Sequence, residues 1–340
     1  MSSNNSFENS RAVIFGLAGL SLTLDEKKFF KKTRPVGYIL FKRNLENPKQ
    51  VKSLVKELHK IAGWKCPILI DQEGGRVARL TPPHWRRPPA AGIFAALAKK
   101  NIKNAKRATY LNAQLIAAEL SDLSINVDCA PMADILFKDS HNIIGDRAFG
   151  SDAKTVSILA GEMACGLIDG GVIPVLKHIP GHGRALLDSH ESLPVVEASL
   201  PTLRKTDFVP FKNLKKLPWG MTAHITYTSI DKKDPATLSK KVIGIIRKEI
   251  GFDGLLLTDD LSMKALSGNF TQRCKKSIAA GCDILLHCNG KMEEMTQVAS
   301  ASPLLSKDAK KRLEKSLSST KSKTKINKKK VLSELEKLIS

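Results

Sequence analysis

The chain is expected to be an α/β protein folded as one closed barrel with a basic C-terminal extension, and three features of the sequence point there. Short apolar runs recur at residues 12–17, 36–41, 67–70, 125–129, 173–178, 220–225, 254–258 and 283–287. Segments of helical character separate them, and strands alternating with helices argue for a parallel sheet. Eight such units argue for closure into a (β/α)8 TIM barrel, a fold of about 250 residues before insertions. An open doubly wound sheet is the alternative, but no GxGxxG follows an early strand.

The elements justify themselves in order. The first apolar run, AVIFGLAGLSLTL, superficially resembles a signal-peptide core. It has no basic cluster before it and runs straight into DEKKFF, so a first strand is the better reading. In NPKQVKSLVKELHKIAG, Val51, Leu54, Val55 and Leu58 recur at i, i+3, i+4 and i+7, which places them on one helical face. Further helices are expected over 106–123, over 153–169 after a Ser151-Asp152 cap, and over 269–281. No linker interrupts residues 12–303, which are read as a single catalytic domain. Residues 304–340 form a lysine-rich extension, partly helical or disordered. Its run from 306 to 330 reads as a solvated helix plus a loose tail, and the final VLSELEKLIS as a last helix with apolar residues at helical spacing.

The 55 Lys and Arg against 33 Asp and Glu leave a formal net charge of +22. Such a field favours acidic substrates or anionic surfaces and says nothing about fold. No aromatic residue is interleaved with the basic C-terminal run, so no nucleic-acid partner is expected. Six scattered cysteines with no CxxC pair fit free thiols in a reducing compartment. No stretch approaches the roughly 20 apolar residues of a membrane span. A soluble, cytoplasmic monomer is the expectation.

A barrel carries its active site at the C-terminal ends of its strands. Strand three ends in Asp71-Gln-Glu-Gly-Gly-Arg76, strand five in Lys177-His178, strand six in His224 and strand seven in Thr258-Asp259-Asp260. The richest segment is KHIPGHGRALLDSHESLP, residues 177–194, where Gly and Pro punctuate a loop holding His178, His182, Asp188 and His190. Asp259 emerges from LLL into the barrel mouth, where a carboxylate can act as base, metal ligand or nucleophile. His190 titrates near neutrality, and Asp188 two residues earlier can orient its ring. Together they can run a two-step displacement on an acetal: Asp259 attacks, His190 protonates the leaving oxygen and then activates water. Asp260 points the other way along the strand and reads as structural. Glu73 reads as a hydrogen-bond anchor for its loop, His182 as a loop-orienting residue, and Cys129 and Cys288 as small buried residues.

These residues resemble the family 3 glycoside hydrolases, in particular their single-domain bacterial β-N-acetylglucosaminidases. Six ordered segments carry the resemblance: GYILFKRN, DQEGGRVARL, IGDRAFGSD, KHIPGHG with the DSH that follows, AHITY, and GFDGLLLTDDLSM. The resemblance implies Asp259 as nucleophile and His190 as acid/base with Asp188 as its partner. It implies that Asp71, Arg79, Arg147, Lys177 and His178 hold the hydroxyls and acetamido group of a terminal GlcNAc, with His224 as a further pocket member. It also implies GlcNAc-1,6-anhydro-MurNAc and its peptides as substrates in cell-wall recycling, with no metal or cofactor. A histidine acid/base departs from the paired carboxylates usual in glycosidases, and the family alone licenses it. Ile179 stands where the family usually has Phe, and the lysine-rich extension is read as lying outside the family pattern.

Two rivals remain. A metal-dependent barrel hydrolase would draw its ligands from His178, His182, His190, His224 and Asp259, yet neither HExxH nor H-x-H spacing occurs. A barrel turned nucleic-acid-binding protein would show salt-dependent affinity carried by its tail.

Overall fold

The computed structural model describes residues 7–189, 191–320 and 325–340. Its centre is a barrel of parallel strands: β1 (Arg11–Gly16), β2 (Pro35–Leu40), β3 (Ile68–Ile70), β4 (Val127–Asp128), β5 (Ile173–Ile179), β6 (Trp219–Thr222), β7 (Leu255–Asp260) and β8 (Ile284–His287). Each strand pairs with its neighbours in chain order, and β8 closes on β1 through Val13–Leu285 and Ile14–Leu286. These are the eight runs anticipated in the sequence, with ends shifted by at most three residues.

The strands read as continuous apolar runs because both of their faces are buried. Ile14, Ile39, Leu69, Val127, Val175, Met221, Leu257 and Leu286 meet inside the barrel. The alternate residues, among them Phe15, Tyr38, Leu40, Ile70, Leu256 and Leu285, pack outward onto the helices. The outer layer begins with α1 (Leu24–Thr33), α2 (Pro48–Ala62), α3 (Ala91–Lys100) and α4 (Ile102–Asp122). It continues with α5 (Ala153–Asp169), α6 (Leu200–Lys205), α7 (Val209–Asn213), α8 (Lys240–Ile245), α9 (Phe270–Ala280) and α10 (Met292–Ala301). The α2 stripe of Val51, Leu54, Val55 and Leu58 is buried as its periodicity requires. That helix starts on Asn47, whose side chain accepts from the Gln50 amide, and stops at Gly63 in the left-handed region.

Two further helices follow, α11 (Lys307–Ser319) and α12 (Lys328–Ile339). Leu305 from the preceding turn, with Ala309 and Leu313 of α11, joins Phe7 and the inward strand residues in one cluster, so α11 closes the lower end of the barrel. The reading of the lysine-rich run as a solvated helix is therefore corrected for α11: its lysines face water, but one side of it is core. Trp219, at the start of β6, is fully buried and donates its indole N–H to Ser316 Oγ at 2.8 Å. Ser316→Ala leaves that donor without an acceptor, and about 1–3 kcal/mol of unfolding free energy should be lost in a urea titration; an unchanged midpoint would show that α11 is not held this way. Helix α12 packs on α4, with a forked Arg107–Glu334 pair at 2.7 and 3.1 Å. Among the described residues no helix is long and apolar enough to cross a membrane.

Candidate active site

The strand ends converge on a cavity of about 290 Å³ at the C-terminal mouth of the barrel. Asp71, Glu73, Arg79, Arg147, Lys177, His178, His182, Ser189, Asp259 and Asp260 line it, together with apolar walls from Phe41, Met221 and Met263. Six of the positions singled out in the sequence as site residues thus meet in one place: Asp71, Arg79, Arg147, Lys177, His178 and Asp259.

The β3 end supplies the acids. Gln72 and Gly74 pair with Val77 and Ala78 in a short antiparallel ribbon, which turns Asp71 and Glu73 toward the cavity. Gly74 has a positive φ of 111°, and a methyl there would strike the Pro89 carbonyl, so the turn needs glycine. Lys177 Nζ sits between the two carboxylates, 3.2 Å from Asp71 Oδ1 and 2.6 Å from Glu73 Oε1. Arg147 grips Glu73 with a two-pronged contact, 2.8 Å at each oxygen, and Arg79 Nη2 holds Asp71 at 2.9 Å. Burial alone would raise the Glu73 carboxyl, but Arg147 and Lys177 hold it well below the usual carboxylate range. Asp71 is lowered in the same way, its burial outweighed by Lys177 and Arg79. Burial pulls against the charge of Lys177, yet Glu73 and Asp71 push its pKa up. The site is therefore a fixed ionic lattice, with two carboxylates and three cations among these five residues. Glu73 is more than the loop anchor expected from sequence: it is the central acid of this lattice.

The β7 end supplies Asp259 and Asp260. Asp260 also lines the cavity, so it does not turn away as the strand alternation suggested, but its carboxylate is spent on structure, Oδ1 accepting from the Ser262 and Cys288 amides at 2.9 and 3.1 Å. Asp259 lines the cavity and its Oδ1 accepts from the Asp260 amide at 2.8 Å. His224 departs from expectation. It is fully buried, with Nδ1 2.7 Å from Thr237 Oγ1 and Nε2 donating to the Asp260 carbonyl at 3.0 Å. Both ring nitrogens are engaged within the protein, so as placed here it props the β7 end from behind rather than offering a polar atom to a ligand. Burial, the largest influence, lowers its pKa.

The loop after β5 carries the remaining candidates. Asp188 is half-buried and its carbonyl accepts from the Glu191 and Ser192 amides, each at 3.0 Å. Ser189 beside it is buried and lines the cavity. His190, the expected acid/base, lies outside the described residues. His182 is buried against the cavity, its Nε2 3.3 Å from Ser189 Oγ. Burial and the neighbouring His178 lower its pKa to about 4.

Sequence reasoning missed one central group, Asp134, which is fully buried beyond the β4 end. Its Oδ2 lies 2.7 Å from His178 Nδ1, and its Oδ1 accepts the His182 amide at 2.6 Å. The signal available was a carboxylate in PMAD a few residues past strand four, the position at which a barrel places functional groups. Cys129 and Cys288 are buried, and burial pushes both thiols well above their usual range, as expected of inert residues. Among the described residues no group of three or more His, Cys, Asp and Glu side chains is arranged to hold a metal ion.

A parallel barrel whose mouth presents an acid at β7 and a polar, ionically locked wall at β3 and β5 defines a barrel enzyme for a small polar substrate. Residues 17–327 match the glycosyl hydrolase family 3 N terminal domain, and the chain belongs to that family. The match runs through α11, which corrects the reading of the extension as lying wholly outside the family pattern. A Beta-hexosaminidase of Alkalilimnicola ehrlichii is 37% identical over 282 residues, 82% of this chain and 80% of that one. A Beta-hexosaminidase of Psychromonas ingrahamii is 34% identical over 284 residues, 82% of this chain and 83% of its own. In structure the chain is similar to NagZ of Neisseria gonorrhoeae in complex with N-trifluoroacetyl-D-glucosamine, with a TM-score of 0.87, 28% identity, and 98% and 99% of the two chains covered. It is also similar to a family 3 β-N-acetylglucosaminidase from Paenibacillus, with a TM-score of 0.85, 29% identity, and 99% of this chain and 68% of that one covered.

Proposed function

We propose that the protein is a retaining exo-β-N-acetylglucosaminidase that removes terminal β-linked GlcNAc from GlcNAc-1,6-anhydro-MurNAc and its peptides in the cytoplasm. The observation that carries the reading is the placement of Asp259, at the end of β7, in one cavity with the Asp71–Lys177–Glu73–Arg147 lattice. Relatives that bear the name Beta-hexosaminidase support the choice of sugar.

In this mechanism a carboxylate oxygen of Asp259 attacks the anomeric carbon while the bond from that carbon to the leaving oxygen breaks. His190 gives its proton to the leaving oxygen. The resulting glycosyl-aspartate is then opened by water, whose proton passes to the same imidazole as the new C–O bond forms. Asp188 holds the ring and stabilises its charged form. Asp71 and Arg79 offer an acceptor and a donor to adjacent hydroxyls, and Lys177, His178 and Arg147 complete the sugar wall. Because the wall is already paired before a sugar arrives, its groups need not reorganise on binding.

Hydrolysis of a chromogenic β-N-acetylglucosaminide beside the matching β-glucoside tests the proposal. Turnover of the GlcNAc substrate with kcat/KM at least about 100-fold above the glucoside is the expected result, since buried polar groups built for one substituent reject its absence strongly. Equal rates would make the chain a glucosidase, and no turnover of either would overturn the reading.

A further inference from the structure

Among the described residues no lysine or arginine forms a salt bridge with Asp134; its donors are the ring of His178 at 2.7 Å, the His178 amide at 3.3 Å and the His182 amide at 2.6 Å. All three come from the segment that leaves β5 for the loop carrying Asp188 and Ser189. That segment runs tight against the Asp134 strand end. The Ala133 amide donates to the Lys177 carbonyl at 2.7 Å, and a methyl on Gly183 would collide with the Ile135 carbonyl. The Tyr227 hydroxyl secures the Gly181 carbonyl at 2.6 Å from the other side.

An ionised carboxylate only accepts hydrogen bonds. Facing one, the imidazole of His178 must carry its hydrogen on Nδ1, which leaves Nε2 as the remaining polar atom for a ligand in the cavity that His178 lines. Oδ1 of the same carboxylate fixes the His182 backbone, and the His182 ring meets Ser189 Oγ, directly beside Asp188. One buried side chain thus governs both the sugar-facing imidazole and the root of the loop next to it.

We propose that Asp134 is the positioning residue of this site: it selects the ring form of His178 that binds the sugar and sets the base of the loop bearing Asp188. The inference rests on the reading of His178 as a sugar contact. Asp134→Asn separates the two tasks. The amide oxygen can still accept from His182, but its NH2 group now faces His178 Nδ1 and forces the hydrogen onto Nε2, as when a catalytic histidine is left in the wrong tautomer by an Asp-to-Asn change.

The test is 15N NMR of the intact protein labelled in histidine, with His178→Gln assigning the resonance, beside steady-state kinetics on the β-N-acetylglucosaminide. The expected results are Nδ1–H in the wild type and Nε2–H in Asp134→Asn. KM should rise about tenfold or more while kcat changes less than about threefold, the loss of one good polar contact to the bound sugar. Asp134→Ala, which also frees the His182 amide, should lower kcat as well. A wild-type ring with no hydrogen on Nδ1 overturns the proposal whether or not either variant folds, and so does an Asp134→Asn enzyme with unchanged KM. If the wild type carries Nδ1–H but hydrolyses no sugar, it is the functional reading that fails, and with it the proposed link from Asp134 to sugar binding.

Discussion

Asp259→Ala is expected to lower kcat on a chromogenic β-N-acetylglucosaminide by roughly 10⁴-fold or more, the scale on which removal of a nucleophile acts. The melting temperature should stay within a few degrees of the wild type, because the side chain is half-buried and faces the cavity rather than the core. The sharper readout is chemical rescue. A small anion such as azide fits the space the carboxylate leaves and can attack the anomeric carbon of a substrate with an activated leaving group. It does so from the face Asp259 would have used, so the sugar azide forms with inverted configuration. Rescue with inversion assigns the nucleophile. A variant that keeps most of its activity removes Asp259 from the reaction and returns the search to the other acids in the cavity, Asp71, Glu73 and Asp260.

The barrel was legible in the sequence because its cause is local and repeated. A parallel strand covered on both sides must be apolar at successive positions, and LLL before Asp259 or IPVL before Lys177 can be recognised without knowing their neighbours. The site candidates were legible for a related reason: charged residues at the ends of such runs are conspicuous. What escaped depends on contacts distant in sequence. Helix α3 begins on Ala90, which has no side chain to cap it, after a proline-rich stretch that reads as a loop. Helix α11 buries only Ala309, Leu313 and Ser316, a face so narrow that its lysines mask it. Asp134 looks like any acid near a turn until folding brings His178 and His182, 44 and 48 residues away, onto its carboxylate. Glu73 was seen and underrated, since nothing in DQEGGR announces that Arg147 will arrive from 74 residues downstream.

Glu73 is also the residue whose loss should cost the fold most. Its side chain and those of Lys177 and Arg147 are each no more than 9% exposed, so the three charges depend on one another rather than on water. Glu73→Gln keeps the shape and removes the anion, leaving Lys177 with Asp71 alone and Arg147 without its carboxylate. Breaking a buried pair on one side costs about 3–5 kcal/mol, and a loss of that order at pH 7 is the expected result. The pH dependence follows from the direction of the shift. The folded-state pKa of Glu73 lies below that of the unfolded chain, about 4.3 for a free Glu. The stability it contributes is therefore fully present above that value and is lost as pH falls below it toward the folded pKa. Wild type should weaken on acidification from about pH 5 downward. Glu73→Gln should weaken less steeply there, so the gap between them narrows as the wild-type carboxyl gains the proton that glutamine never needs. Asp71, lowered by Lys177 and Arg79, stays in both proteins and leaves each a residual acid slope. A gap that is constant from pH 3 to 7 would mean that the variant suffers from packing and not from charge. Adding Lys177→Met to Glu73→Gln decides between the two. If the lattice is electrostatic, the pair should cost less than the sum of the single changes, because removing the cation relieves the charge that the first substitution stranded.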